Sequence, residues 1–244
     1  MLKGDPMFQV TEHSQYTHIQ FSHDKGNSID LPFIHRFMEV LDTISEKTSV
    51  LIIEGTPHFS VGMNLQQLAH LAPLEVTTLF ATYEKFLNKL ETAPFITIAK
   101  ITGYAMGAGA ELALSCDFRW MEQKAKIGFP GVNVGFTYNT KRLQRLIPLQ
   151  IAKRLVLSGS TINGQLALSY GIADRIASHK RIDQELEEYA IQFAGKSPIA
   201  IKYAKEAFLE LGSDVALLRS IEAEHYHEGA LAFIEGRPPQ WDKF

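Results

Sequence analysis

Two short runs constrain this chain more than anything else in it. Val50-Leu51-Ile52-Ile53 and Phe95-Ile96-Thr97-Ile98-Ala99-Lys100-Ile101 are largely apolar and β-branched, and each leads into a loop punctuated by glycine. A strand wetted on one face alternates polar and apolar residues, whereas a run without alternation fits a strand covered on both faces. Asp117-Phe118-Arg119-Trp120-Met121 is a third strand candidate. Between strands, Ile34, Phe37, Met38, Leu41 and Ile44 recur at helical spacing, with Asp30 placed to cap that helix and Pro32 in its first turn. Strands and helices that alternate at these intervals suit right-handed crossovers, so an α/β fold with a parallel, helix-flanked sheet is expected. Ahead of it, Phe8-Gln9-Val10 and Thr17-His18-Ile19-Gln20-Phe21 alternate around a polar break and predict an antiparallel hairpin.

Beyond Ile151 strand signals disappear, and amphipathic helices are expected to follow one another. Arg181 to Phe193 places Ile182, Leu186, Tyr189, Ala190 and Phe193 on one face, and Ser197-Pro198 and Gly212 mark the start and stop of a further helix. With no internal repeat, low-complexity tract or flexible linker, the expectation is one domain: a core over residues 1–180 and a helical part over 181–244, serving as lid or oligomerisation element.

Composition narrows the function classes. A net charge of −3 with both signs mixed along the chain offers no clustered basic face for nucleic acid. No apolar run approaches the roughly 20 residues of a membrane span, and Met1-Leu2-Lys3-Gly4-Asp5-Pro6 lacks the apolar stretch of a secretory signal, so a cytoplasmic location is expected. Cys116 is the single cysteine, which rules out an intrachain disulfide and a thiolate metal cage, and it is expected as a small buried hydrophobe.

The chemistry is expected in the two loops that follow the buried strands. Gly55 to Asn64 and Gly103 to Gly109 each turn the chain sharply and enter a helix, where backbone N–H groups lack partners. Two such entrances at the carboxyl edge of one sheet can aim two N–H donors at a single oxygen. Alone, Gly107-Ala108-Gly109 fits a tight turn with close helix packing; a dinucleotide fingerprint is excluded because Leu112 stands where its third glycine belongs. Glu111, inside Ala110-Glu111-Leu112-Ala113-Leu114, either occupies the solvent face of its helix or sits near an apolar pocket that would raise its pKa towards proton transfer. Among the histidines, His225 and His227 fall on different helix faces without metal-ligand spacing. His58 and His70 flank the first loop, where one is a candidate proton donor; solvated surface positions are the expectation for all four.

Phe59-Ser60-Val61-Gly62-Met63-Asn64 and the stretch from Ile98 through Gly103-Tyr104-Ala105-Met106-Gly107-Ala108-Gly109-Ala110-Glu111 to Asp117 resemble the two signature loops of the crotonase (enoyl-CoA hydratase/isomerase) superfamily. The likeness continues through Lys126-Ile127-Gly128-Phe129-Pro130, Gln144-Arg145-Leu146, Ala167 to Gly171 and Glu228 to Phe233. It implies a β-β-α spiral core, a C-terminal helical subdomain, and a homotrimer or dimer of trimers. It also implies an acyl-CoA or other acyl-thioester substrate, with coenzyme A as part of that substrate and no separate cofactor, nucleic acid or membrane partner. By the resemblance the amides of Met63 and Ala108 grip the thioester carbonyl as it becomes an enolate. Glu111 matches the first catalytic glutamate, Ser60 and Gly62 lie beside the bound thioester, and Lys25 and Ser28 belong to a turn beside the coenzyme A nucleotide.

Ala108 stands for the family's usual glycine, which a backbone donor tolerates, and the pattern is broken twice more. Gly131 stands where a second catalytic glutamate is expected, which puts efficient hydration in doubt. Tyr138-Asn139-Thr140-Lys141-Arg142 replaces the family's glycine-rich turn at unchanged spacing. It is either a remodelled surface turn, or a site where Tyr138 or Asn139 orients a substrate group and Arg142 pairs with a carboxylate. Isomerisation or weak hydration is the first expectation for the reaction. Decarboxylation or another C–C step on a coenzyme A or carrier-protein thioester is the second, and a catalytically silent acyl-CoA-binding scaffold the third.

Overall fold

The computed structural model describes residues 5–45, 48–138, 140–209 and 215–241. The chain opens with the expected hairpin: β1 (Phe8–Glu12) pairs antiparallel with β2 (Thr17–Phe21). A turn leads to the two-residue β3 (Ser28–Ile29) and then α1 (Leu31–Asp42), which Asp30 caps by accepting the Phe33 N–H at 3.0 Å. β4 (Val50–Gly55) and β5 (Gly62–Met63) frame the first glycine loop, and α2 (Pro73–Glu91) returns the chain to the sheet. β6 (Ile96–Ile101), β7 (Tyr104–Met106) and α3 (Ala108–Leu114) frame the second. β8 (Phe118–Glu122) and β9 (Lys126–Gly128) follow, then β10 (Thr161–Asn163) and β11 (Arg175–Ala177). The last labelled helices are α4 (Ile182–Ile191), α5 (Pro198–Leu209), α6 (Val215–Glu222) and α7 (His225–Glu235).

The main sheet runs β1-β2-β4-β6-β8-β11 and is parallel from β2 onward. A second sheet, β10-β9-β7, and the β3-β5 pair lie beside it. Every residue of β4 is buried, because successive side chains go to opposite covered faces. Leu51 and Ile53 join a core shared with Phe37 of α1 and Phe86 of α2, while Val50 and Ile52 join Ile98, Trp120 and, from α4, Ile182 and Leu186.

Two expectations change. Strands do occur beyond Ile151, but β10 and β11 hold three residues each, too few for a period of two to show in sequence. The predicted helix after Ser197 starts at Pro198, while its stop at Gly212 lies outside the described residues.

Candidate active site

The two glycine loops are bonded to each other. Ser60 N–H donates to Tyr104 O and Met106 N–H to Ser60 O, both at 2.9 Å, so a parallel bridge joins Ser60 to Ala105. Close approach demands glycine on both sides. A Cβ on Gly109 would come within 2.4 Å of Ser60 O, and one on Gly62, whose φ is +96°, within 2.6 Å of Met106 O. Ser60 itself is fully buried, with its hydroxyl donating to Asn27 O at 2.7 Å and accepting from Gly62 N–H at 3.1 Å. In this geometry its hydroxyl ties its loop to the turn at Asn27.

This stitching brings Met63 and Ala108 to one cavity. In a parallel pair alternate amides of a strand face its neighbour. Asn64 N–H donates to Ile29 O at 2.9 Å, so the preceding amide, that of Met63, points the other way. Ala108 is the first residue of α3, after Gly107 at the N-cap, so its N–H has no carbonyl four residues back within the helix. Glu111 N–H is the first of that helix to find one, Gly107 O at 3.0 Å. Gly62, Met63, Gly107 and Ala108 line the same cavity, of about 190 Å³, whose other walls include Leu68, Phe80, Val134 and Phe136. Tyr138 brings the one hydroxyl in this lining among the described residues.

Behind that wall lies a charge cluster. Arg142 is 2% exposed, and its guanidinium donates to Glu111 at 3.0 Å, to both carboxylate oxygens of Glu84 at 3.2 Å, to Glu91 at 2.8 Å and to Asn88 at 3.2 Å. Arg145 adds a second cation on Glu91 at 2.5 Å. Tyr138 O–H donates to Glu84 at 3.3 Å, and its ring packs against Phe80 at 5.4 Å. Burial, then the charges of Glu111 and Glu84, push the Tyr138 phenol far above its ordinary range, so it stays protonated. Beside it, Tyr83 is fully buried, and its hydroxyl donates to Ala108 O at 2.7 Å, bracing the first turn of α3.

Residues 12–243 match the model of the enoyl-CoA hydratase/isomerase family. The chain belongs to that family. It is 34% identical over 180 residues to an enoyl-CoA isomerase/hydratase, fer4, of Mycosarcoma maydis, an alignment covering 72% of this chain and 65% of that protein. It is 28% identical to a crotonyl-CoA hydratase of Syntrophomonas wolfei, over 86% of this chain and 88% of the other. The crystal structure of an enoyl-CoA hydratase from Bacillus anthracis superposes with a TM-score of 0.85 at 26% identity, covering 96% and 98% of the two chains. The α/β architecture is therefore the crotonase β-β-α spiral with its C-terminal helical subdomain.

Within this enoyl-CoA hydratase/isomerase fold several site expectations are revised. Glu111 is neither on the solvent face nor in an uncompensated apolar setting. It is 2% exposed, its carboxylate accepts from Arg142, and the cavity wall is built without it. Arg142 does pair with carboxylates, but with the protein's own, which leaves its buried fork committed to α2 and α3. Lys25 is exposed, and its ammonium donates to Gln66; Ser28 is buried, with its hydroxyl on Asp24 O at 3.3 Å. Asn139 lies outside the described residues. His70 and His227 are exposed as expected, and half-buried His58 packs edge-on against Tyr104 at 4.8 Å, outside the cavity lining. His225 departs from expectation: it is 7% exposed, bonded to Ser197 Oγ at 3.0 Å and stacked on Trp241.

Reasoning from sequence missed Tyr83, Glu84, Asn88 and Glu91. The signal for the last three was present: positions 84, 88 and 91 share one helical face by their spacing of four and three. Nothing in the sequence said that the face would meet an arginine 51 or more residues away.

Proposed function

We propose that this chain binds an acyl thioester, with coenzyme A as the carrier, and stabilises the enolate formed from it in a hole made by the Met63 and Ala108 amides. The observation that supports this reading is that Met63 and Ala108, one from each of two loops bonded together, line one largely apolar cavity. Fixed donors aimed at a developing oxyanion stabilise it without reorganisation, and this is usually the largest single contribution to such catalysis. The hydrocarbon walls suit an acyl chain, and the exposed Lys25 suits the coenzyme A nucleotide.

Isomerisation of an enoyl thioester or its weak hydration is the reaction proposed first, in keeping with the names of the relatives. A second reading, decarboxylation or another C–C step, draws support from one feature: among the described residues no carboxylate lines the cavity. Such a step creates the enolate without a base. Glu111, expected as the general acid/base, is proposed instead to hold Arg142, and through it the turn that closes the acyl site.

Ala108→Pro tests the hole. Proline is well accepted at the first position of a helix and deletes the N–H there. Thioester turnover should fall by about 10²–10³ while the fold persists. Turnover equal to wild type, across crotonyl-, malonyl- and glutaconyl-thioesters, would remove Ala108 from the mechanism. Binding with no turnover by the wild-type chain would leave the scaffold reading.

A further inference from the structure

Two facts leave the reaction short of a proton carrier. Gly131 offers no carboxylate, and Glu111 is tied to Arg142 outside the cavity wall. Among the described residues the cavity lining holds one side chain with an ionisable hydrogen, Tyr138. A Cβ built on Gly131 would lie 3.8 Å from Tyr138 Cβ, so Tyr138 stands next to the position of the missing carboxylate. Its ring is clamped by Phe80 at 5.4 Å and Tyr83 at 6.5 Å, and its hydroxyl is bonded to Glu84. Glu84 in turn is fixed by both terminal nitrogens of Arg142, yet its side chain is 36% exposed. A hydroxyl at the cavity thus connects through one carboxylate to solvent.

Resting on the enolate reading above, we propose that Tyr138 is the proton donor to the α-carbon of the thioester enolate, with Glu84 as its link to water. In that step the Tyr138 hydroxyl turns its hydrogen from Glu84 to the α-carbon, the O–H bond breaks and a Cα–H bond forms from the enolate electron pair. The oxyanion at the Met63 and Ala108 amides collapses to the carbonyl, and the phenolate regains its proton from water through Glu84. A phenol kept protonated by burial is a weak base but an adequate acid towards a carbon as basic as an enolate. The arrangement therefore favours reactions that reach the enolate by another route and end by protonating it.

By microscopic reversibility the same group carries slow exchange of α-hydrogens, which gives a direct readout. Acetyl-CoA is incubated with the protein in D2O and deuterium at the α-carbon followed by NMR, with affinity measured by calorimetry. Tyr138→Phe, which keeps the ring in its clamp, should lower exchange by about 100-fold or more and leave the dissociation constant of acetyl-CoA unchanged. Glu84→Gln should slow exchange as well, and added formate should restore part of it, an effect that a purely structural role would not produce. Wild-type exchange that survives Tyr138→Phe overturns the donor and leaves the enolate hole standing. Bound acetyl-CoA that the wild-type protein does not exchange above buffer overturns the enolate reading and this one with it.

Discussion

An added side chain at residue 131 has nowhere to go without moving backbone. The Cβ of any replacement would stand 2.9 Å from Phe136 O, while Phe136 N–H is itself bonded to Gly131 O at 2.9 Å, so the turn is closed on both sides. Gly131→Glu, the substitution that would restore the family's second carboxylate, is therefore expected to cost about 1–3 kcal/mol through overpacking and to bring no gain in crotonyl-thioester hydration. Gly131→Ala should lose similar stability in urea unfolding, because the clash lies at Cβ. A stable Gly131→Glu protein that hydrates faster than wild type would refute this. At the same scale, Cys116 was legible: it is buried, and burial pushes its thiol up to about 12, far from a reactive thiolate. Glu111 was half legible. Its apolar neighbours left burial and the solvent face both open, its counter-charge comes from a position 31 residues on, and only folding brings Arg142 to it.

Among the elements, the strands that read best from sequence are those whose burial is two-sided. β4 and β6 carry continuous apolar runs because each packs on both faces, and their register puts Lys100 opposite Glu54. That pair could not be read from sequence. Lys100 donates to Glu54 at 2.7 Å and to Asp183 of α4 at 2.5 Å, which ties the helix to the sheet. Burial of Glu54 works against its charge, yet hydrogen bonds from His18 and Lys100 outweigh it and hold the carboxyl below its ordinary 4.5. A native carboxyl that gives up its proton more readily than the unfolded one stabilises the fold fully above about pH 4.5. That contribution is lost as pH falls through the lower native value. Urea titrations taken from about pH 7 down to about pH 3 should thus show an acid limb that Glu54→Gln flattens; an identical slope in the variant would assign the limb to other groups. The three-residue strands β10 and β11 were invisible because each side of so short a strand presents one or two side chains.

Across the whole molecule, the sequence put the change of texture at Ile151, too early by the two short strands β10 and β11, and did not convey how the later helices attach. α4 covers one face of the main sheet, and Lys205 of α5 reaches in to donate to Phe95 O at 2.9 Å and Asp117 at 2.7 Å. We propose that residues 181–244 belong to the same domain as 1–180 on this ground. Beyond α4, whose outer face is polar, the later helices expose large apolar side chains: Phe208, Phe233 and Ile234 are 80%, 88% and 78% exposed. A surface of this kind is normally covered in solution, and a homo-oligomer, a trimer or pair of trimers, is our proposal for what covers it. Light scattering behind gel filtration should return a multiple of the 27.4 kDa chain mass. Phe233→Asp combined with Ile234→Asp should reduce that mass to one chain, whereas a monomeric wild-type protein would defeat the assembly.

The bridge from Ser60 to Ala105 has a mechanical consequence. Loops that are anchored only to their own strands can breathe separately; these two share a rung of hydrogen bonds, and a side chain on Gly109 would pry them apart. Neither can drift without dragging its neighbour, so the spacing between the two loops is inherited from the scaffold and not acquired on contact with a guest. Empty and occupied forms should overlay there atom for atom, and whatever adapts to acyl chains of different length must do so elsewhere in the cavity wall.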